Sequence, residues 1–142
     1  IPSGFPKEII FSYSKVIKSP KMSDIGVKMQ FDLFNYLEKS NSKAIVLDSK
    51  HLLENPSEIL KTLCDMIGIP YFEDMLEWER GPKEEDGVWA KYWYDNVHDS
   101  TSFLAYKKKD IHLSKDLESL YQECLPYYNF LTEKSIKHDT TI

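Results

Sequence analysis

Arginine is almost missing from this chain. Arg80 stands alone among 18 basic residues, the rest being lysines. Glycine is sparse and scattered, with five residues, and cysteine is limited to Cys64 and Cys124. Two lone cysteines form no disulfide framework, and no CxxC or Cys/His cluster indicates zinc. Both sit among apolar residues at helical spacing, which reads as two reduced core thiols and favours an intracellular, cytoplasmic compartment. No apolar run approaches the length that spans a bilayer, and no signal peptide is visible. The net charge of −5 argues against a general nucleic-acid or anionic-membrane binder, whose affinity comes from basic patches. The run Lys107-Lys108-Lys109 is a local exception that reads as a solvated face, with Asp110 following at once.

What is present suits a globular domain. A length of 142 residues can bury a real core, and 42% hydrophobic with 29% charged residues is ordinary composition. The opening Ile1-Pro2-Ser3-Gly4, without an initiator Met, fits a processed chain or an excerpt of a longer one. The periodicity divides the chain into one unit over residues 1–133 and a flexible tail over 134–142, without internal repeats.

The expected fold is mostly α with one or two strands. Pro6 suits a first helical turn, and Ile9, Ile10, Tyr13, Val16 and Ile17 follow at helical spacing up to Ser19-Pro20. Ser12 and Ser14 fall inside this helix, facing solvent or bonding to the preceding turn. Ser23 is placed as the cap of a second helix, with Met22 and Val27 as its staple, running to Ser40-Asn41-Ser42. Ala44-Ile45-Val46-Leu47 is a short continuous apolar run, which reads as a strand buried on both faces. One strand cannot satisfy its own backbone groups, so partners are expected from a missing N-terminal half or a second copy. Asn55-Pro56-Ser57-Glu58 reads as cap, first position and capping box of a helix that Gly68 ends. Phe72–Leu76 is a turn, Asp99 or Ser100 caps a helix through Leu104, and Ser114 begins the last long helix, which Pro126 should kink or break.

The densest signal lies in EWERGPKEEDGVWAKYWYDNVHDSTSF, from Glu77 to Phe103, which holds Trp78, Trp89 and Trp93 together with Arg80. An arginine used once in a lysine-rich chain points to a need for a planar, permanently charged fork. Gly81 beside it lets a ligand approach the backbone closely. Two readings follow from the residues: a loop that grips an anion, or a surface loop whose tryptophans belong to the core. His98 reads as a structural histidine holding a backbone carbonyl, and His51, His112 and His138 receive no role. The Glu84-Glu85-Asp86 and Glu73-Asp74 clusters read as solvated. No catalytic constellation is readable, and catalytic residues remain unassigned.

The order of these parts resembles a known family. KAIVLDSKHLLENPSEILKTLCDMIGIPY is a strand, a connector and a capped helix, similar to the C-terminal half of the P-loop sulfotransferases, an α/β three-layer fold. GPKEEDGVWAKYWYDNVHDSTSF looks like the loop of a divergent branch of that family, with Arg80-Gly81 and Gly87-Val88-Trp89 on its "RKGxxGxW" pattern. GFPKEIIFSYSKV is similar to the family's "RDPxxxxxSYY" segment, with Pro6 and Ser12-Tyr13 in place and Gly4 where the family has arginine. The resemblance implies a nucleotide cofactor, 3′-phosphoadenosine 5′-phosphosulfate (PAPS) or its product PAP, and no metal. It implies Arg80, Gly81 and Ser12 as cofactor-binding residues at the 3′-phosphate, with Trp89 packing the loop. The family's glycine-rich phosphate loop and catalytic base fall in a half that this sequence lacks. Two functions follow. One is part of a sulfotransferase-like protein, transferring a sulfuryl group to a hydroxyl or amine and inactive alone. The other is a non-catalytic helical module whose aromatic loop binds a partner protein or small apolar ligand.

Overall fold

Val46 and Asp48 point to one face because side chains alternate along an extended chain. That face is sealed: Val46 is 1% and Asp48 0% exposed, while Ile45 and Leu47 are half-buried. The apolar run is therefore a strand with one deeply buried face, not two. In the computed structural model, which describes residues 1–88 and 98–137, strand β1 (Pro2–Ser3) pairs in parallel with β2 (Leu47–Asp48), Pro2 against Leu47 and Ser3 against Asp48. On one edge the Leu47 N–H donates to the Ile1 carbonyl at 2.9 Å, and on the other the Ile136 N–H donates to the Val46 carbonyl at 2.9 Å. Ser135 bridges Val46 in parallel. At these positions the strand's partners come from this chain itself. Ser135 and Ile136, which the periodicity assigns to a tail, are 8% and 6% exposed. His138 and the remainder of that tail lie outside the described residues.

Helix α1 (Pro6–Ser14) leaves the end of β1, with Pro6 in its first turn, where a missing N–H costs nothing. It stops short of the expected Ser19: the Val16 N–H reaches back only three residues, to the Tyr13 carbonyl at 3.0 Å, in a tightened last turn. The expected second helix is two, α2 (Met22–Ile25) and α3 (Val27–Lys39), broken at Gly26, whose φ of 78° is left-handed. Ser23 does not cap it. The cap lies at Lys21, whose N–H donates to Asp24 Oδ2 at 2.8 Å. The connector after β2 is also helical. Asp48 caps α4 (Ser49–Glu54) by accepting the Lys50 N–H at 2.8 Å.

Helix α5 (Pro56–Ile67) starts on Pro56, although the Asn55 side chain makes no capping bond, and ends at Gly68 in the left-handed region as expected. Residues 100–114 form no helix, so neither Asp99 nor Ser100 caps one there. Instead the Trp78 N–H donates to the Thr101 carbonyl at 2.8 Å, and Glu77 bridges Ser102 in antiparallel fashion. Helix α6 (Lys115–Lys134) runs through Pro126 without ending. Cys124, Tyr128 and Leu131 are buried on either side of it, and this packing holds the rod across the lost hydrogen bond.

The core is where α6 meets α1 and α3. Phe130 sits edge-on to Phe31 and Phe34, at 4.9 and 5.3 Å between centroids. Phe5 does the same against Tyr121 at 5.9 Å. The fold is thus mostly helical with a two-stranded sheet, as the sequence leads one to expect. Among the described residues no helix is long and apolar enough to cross a membrane, and no group of three metal-ligating side chains assembles.

Asp48 supplies the main polar link in this core. Its Oδ2 accepts the Tyr128 hydroxyl at 2.8 Å and the Thr132 hydroxyl at 3.1 Å. Burial first, and then the Asp48 carboxylate, push the Tyr128 phenol well above its ordinary value, so it remains a donor. Tyr128→Phe leaves this buried carboxylate one donor short and should cost about 1–3 kcal/mol in urea unfolding. Cys64 and Cys124 are both free and buried, and burial pushes the Cys124 thiol up to about 11. Neither should react with a disulfide reagent at neutral pH until denaturant is added.

Candidate functional site

The parallel pair ends at Ser3 and Asp48, and the chain turns there into α1 and α4. Carboxyl ends of parallel strands are where open α/β sheets place ligands, because helix N-termini converge on them. A cavity of about 540 Å3 lies at this end, with Ser3, Gly4, Glu8, Ser12, Gln30 and Ser49 on its polar wall. Phe5, Ile9, Tyr13 and Ile25 supply the apolar part.

Ser3 is 5% exposed, and its Oγ has no hydrogen-bond partner among the described residues. A buried hydroxyl left unbonded costs about 1–3 kcal/mol. Gly4 fits closely: a Cβ there would come within 3.0 Å of Ile9 Cδ1 and 3.4 Å of Ser49 Oγ. Glu8 is held by Tyr106, whose hydroxyl donates to Oε1 at 2.9 Å. Burial first, and then that hydrogen bond to Glu8, push the Tyr106 phenol up to about 12. Ser14 bonds back to the Phe11 carbonyl at 2.7 Å, as expected of an interior helix serine. Ser12 lies at the exposed rim of the cavity.

Arg80 and Gly81 lie elsewhere. Arg80 does not line the cavity of Ser12. Its side chain is 69% exposed, and Nη2 is 3.5 Å from Asp99 Oδ1, itself 74% exposed. A surface pair of that kind contributes about 0–1 kcal/mol. Gly81 has φ 109°, a conformation that favours glycine, and its N–H donates to the His98 carbonyl at 2.8 Å. That donor is already engaged, so Gly81 offers a ligand room and not a free N–H. The structure therefore does not gather Ser12, Arg80 and Gly81 around one point.

The loop after Arg80 is built on polar contacts. The Lys83 N–H donates to Asp86 Oδ2 at 2.7 Å, and His98 Nε2 lies 2.9 Å from the same oxygen. His98 Nε2 thus meets a carboxylate, and Asp86 is no solvated turn residue. The aromatic pin within the described residues is Trp78, which donates from Nε1 to Ser100 Oγ at 3.2 Å and stands edge-on to Phe103 at 5.2 Å. Trp89 and Trp93 lie outside the described residues. Ser3, Glu8 and Ser49 were not singled out by the sequence. The only signal for Ser3 is its place just before the Gly4-Phe5-Pro6 turn, and nothing local marks Glu8 or Ser49.

Asp86 generates a pH prediction. The Lys83 N–H first, and the His98 ring second, hold its carboxyl below the ordinary carboxylate value. A group lowered in the folded state contributes while pH stays above its unfolded value, and that contribution is lost as pH falls through the folded one. Amide exchange at Gly81 and Lys83 should therefore speed up only in acid, below the ordinary aspartate range, beyond the intrinsic trend. Asp86→Asn should bring the fast exchange to neutral pH.

Comparison with known proteins bears on this geometry. A family profile described as a sulfotransferase domain matches residues 4–135. Two curated relatives from Arabidopsis thaliana, branched-chain-amino-acid aminotransferase-like proteins 1 and 2, are 34% and 31% identical over 137 residues, 96% of this chain. The chain spans about a quarter of the length of each, 24%. No solved structure matches.

Proposed function

This chain belongs to the sulfotransferase-domain family, and from that premise we propose that it is part of a longer sulfotransferase-like protein. That protein would transfer a sulfuryl group from PAPS to a hydroxyl or amine acceptor. The observation that carries the reading is the match over residues 4–135. The cavity at the carboxyl ends of β1 and β2 supports it, being a position suited to a ligand.

The fit to the nucleotide is uneven. Arg80 stands outside the cavity and Gly4 brings no cation into it. Among the described residues the cavity's one charged wall residue is Glu8, and the N–H of Gly81 is engaged. Among the described residues, Ser12 and Arg80 do not line one cavity. The chain offers PAPS a surface guanidinium on the Arg80-Gly81 loop and, apart from it, a hydroxyl at Ser12. On this reading the phosphate-gripping loop and the catalytic groups come from another part of the longer protein, and the chain alone is inactive. The free, buried cysteines support a reducing intracellular compartment.

A second reading, a non-catalytic binding module, is favoured by a cavity that no Lys, Arg or His lines among the described residues. Calorimetry with PAP separates the two. PAP should bind the chain weakly, and Arg80→Ala should weaken it about tenfold or more, as loss of a charge-assisted contact does. Equal affinity in the variant would remove Arg80 from the site. No binding to either protein would favour the module.

A further inference from the structure

The cavity at the end of β1 has a charge pattern opposite to the one that binds phosphate. Glu8 lines it, and no Lys, Arg or His does among the described residues. One Glu8 oxygen takes the Tyr106 hydroxyl at 2.9 Å, and the other has no partner among the described residues. A dianion brought here would meet that carboxylate on the cavity wall, while Lys7, Lys108 and Lys109 lie in the adjoining hollow that Glu8 also lines. A cation would find an acceptor already held in place. Ser3 lines the same space, and its hydroxyl is buried without a partner among the described residues. A buried polar group of this kind calls for a polar group on whatever fills the cavity. Phe5, Ile9 and Ile25 add an apolar surface, and the volume of about 540 Å3 lies within the range of pockets for small organic molecules.

We infer that this cavity binds an amphiphilic amino alcohol, with its protonated amine against Glu8, its hydroxyl at Ser3, and its apolar body against Phe5, Ile9 and Ile25. The inference rests on the sulfuryl-transfer reading only in naming this ligand as the acceptor, since a hydroxyl and an amine are the groups that reaction would modify. Binding itself stands without it.

The test uses the full chain and 2-amino-1-phenylethanol as probe, followed by calorimetry and by backbone amide shifts. Binding should move the Ser3, Gly4 and Glu8 amides. Glu8→Gln should weaken it about tenfold or more, and the variant keeps a carbonyl oxygen for Tyr106 to donate to, so the fold should hold. The neutral diol 1-phenylethane-1,2-diol should bind wild type about as weakly as the amine binds the variant. Lys43→Ala, exposed and outside the cavity lining, should fold normally and keep the preference for amine over diol. Equal binding of amine and diol, failure of the amine to move those three amides, or PAP moving them would each overturn the inference. The amine at Ser3 with PAP bound only at the Arg80 loop supports both readings. The amine at Ser3 with no PAP binding anywhere supports this inference and sinks the donor reading alone.

Discussion

A carboxylate with no exposed surface ties this molecule together. Asp48 ends β2, caps α4, and takes hydroxyls from Tyr128 and Thr132 of α6. A buried charge is tolerable only when its oxygens are satisfied, and here three neutral donors do so. The strand, the long helix and the short one after the strand are thereby fixed to one point. β1 follows, because Ser3 pairs in register with Asp48. The cavity and its unpartnered hydroxyl stand next to that pair.

The electrostatics of the surface then divide. Lys7, Lys108 and Lys109 border one hollow with Tyr121, Glu8 lines both it and the Ser3 cavity, and among the described residues no Lys, Arg or His lines the Ser3 cavity. Arg80 faces solvent and does not line that cavity. A family whose donor is polyanionic leads one to expect cation and hydroxyl together, and here they are apart. The chain belongs to the family by sequence, and among the described residues the Ser3 cavity is lined by apolar groups, hydroxyls and one carboxylate.

The loop from Glu77 to Phe103 shows how one segment can be both anchored and available. Trp78, Phe103 and the Asp86–His98 contact fasten it, yet Arg80 keeps most of its surface in water. Fastening comes from aromatic burial and short polar contacts. Availability comes from an ion pair too exposed to hold the guanidinium.

Much of the helical frame is legible in the residues, because helix boundaries are local. Pro56 and Gly68 bound α5 as their φ preferences dictate, and Ser114 precedes α6. Where a local rule met packing, packing prevailed: Pro126 did not end α6, since buried neighbours hold both sides. Where two local rules competed, the stronger won, as when left-handed Gly26 divided the helix that Ser23 was expected to start. By itself the sequence determined the family, the helical class, the two free thiols and Arg80 as a lone fork, because motifs and composition are properties of neighbours along the chain. Tertiary structure alone decided that Asp48 reaches Tyr128, 80 residues on, that both edges of the strand are paired by the ends of this chain, and that Ser12 shares its cavity with Glu8 and not with Arg80. Those facts depend on which distant surfaces meet, and no local spacing encodes that.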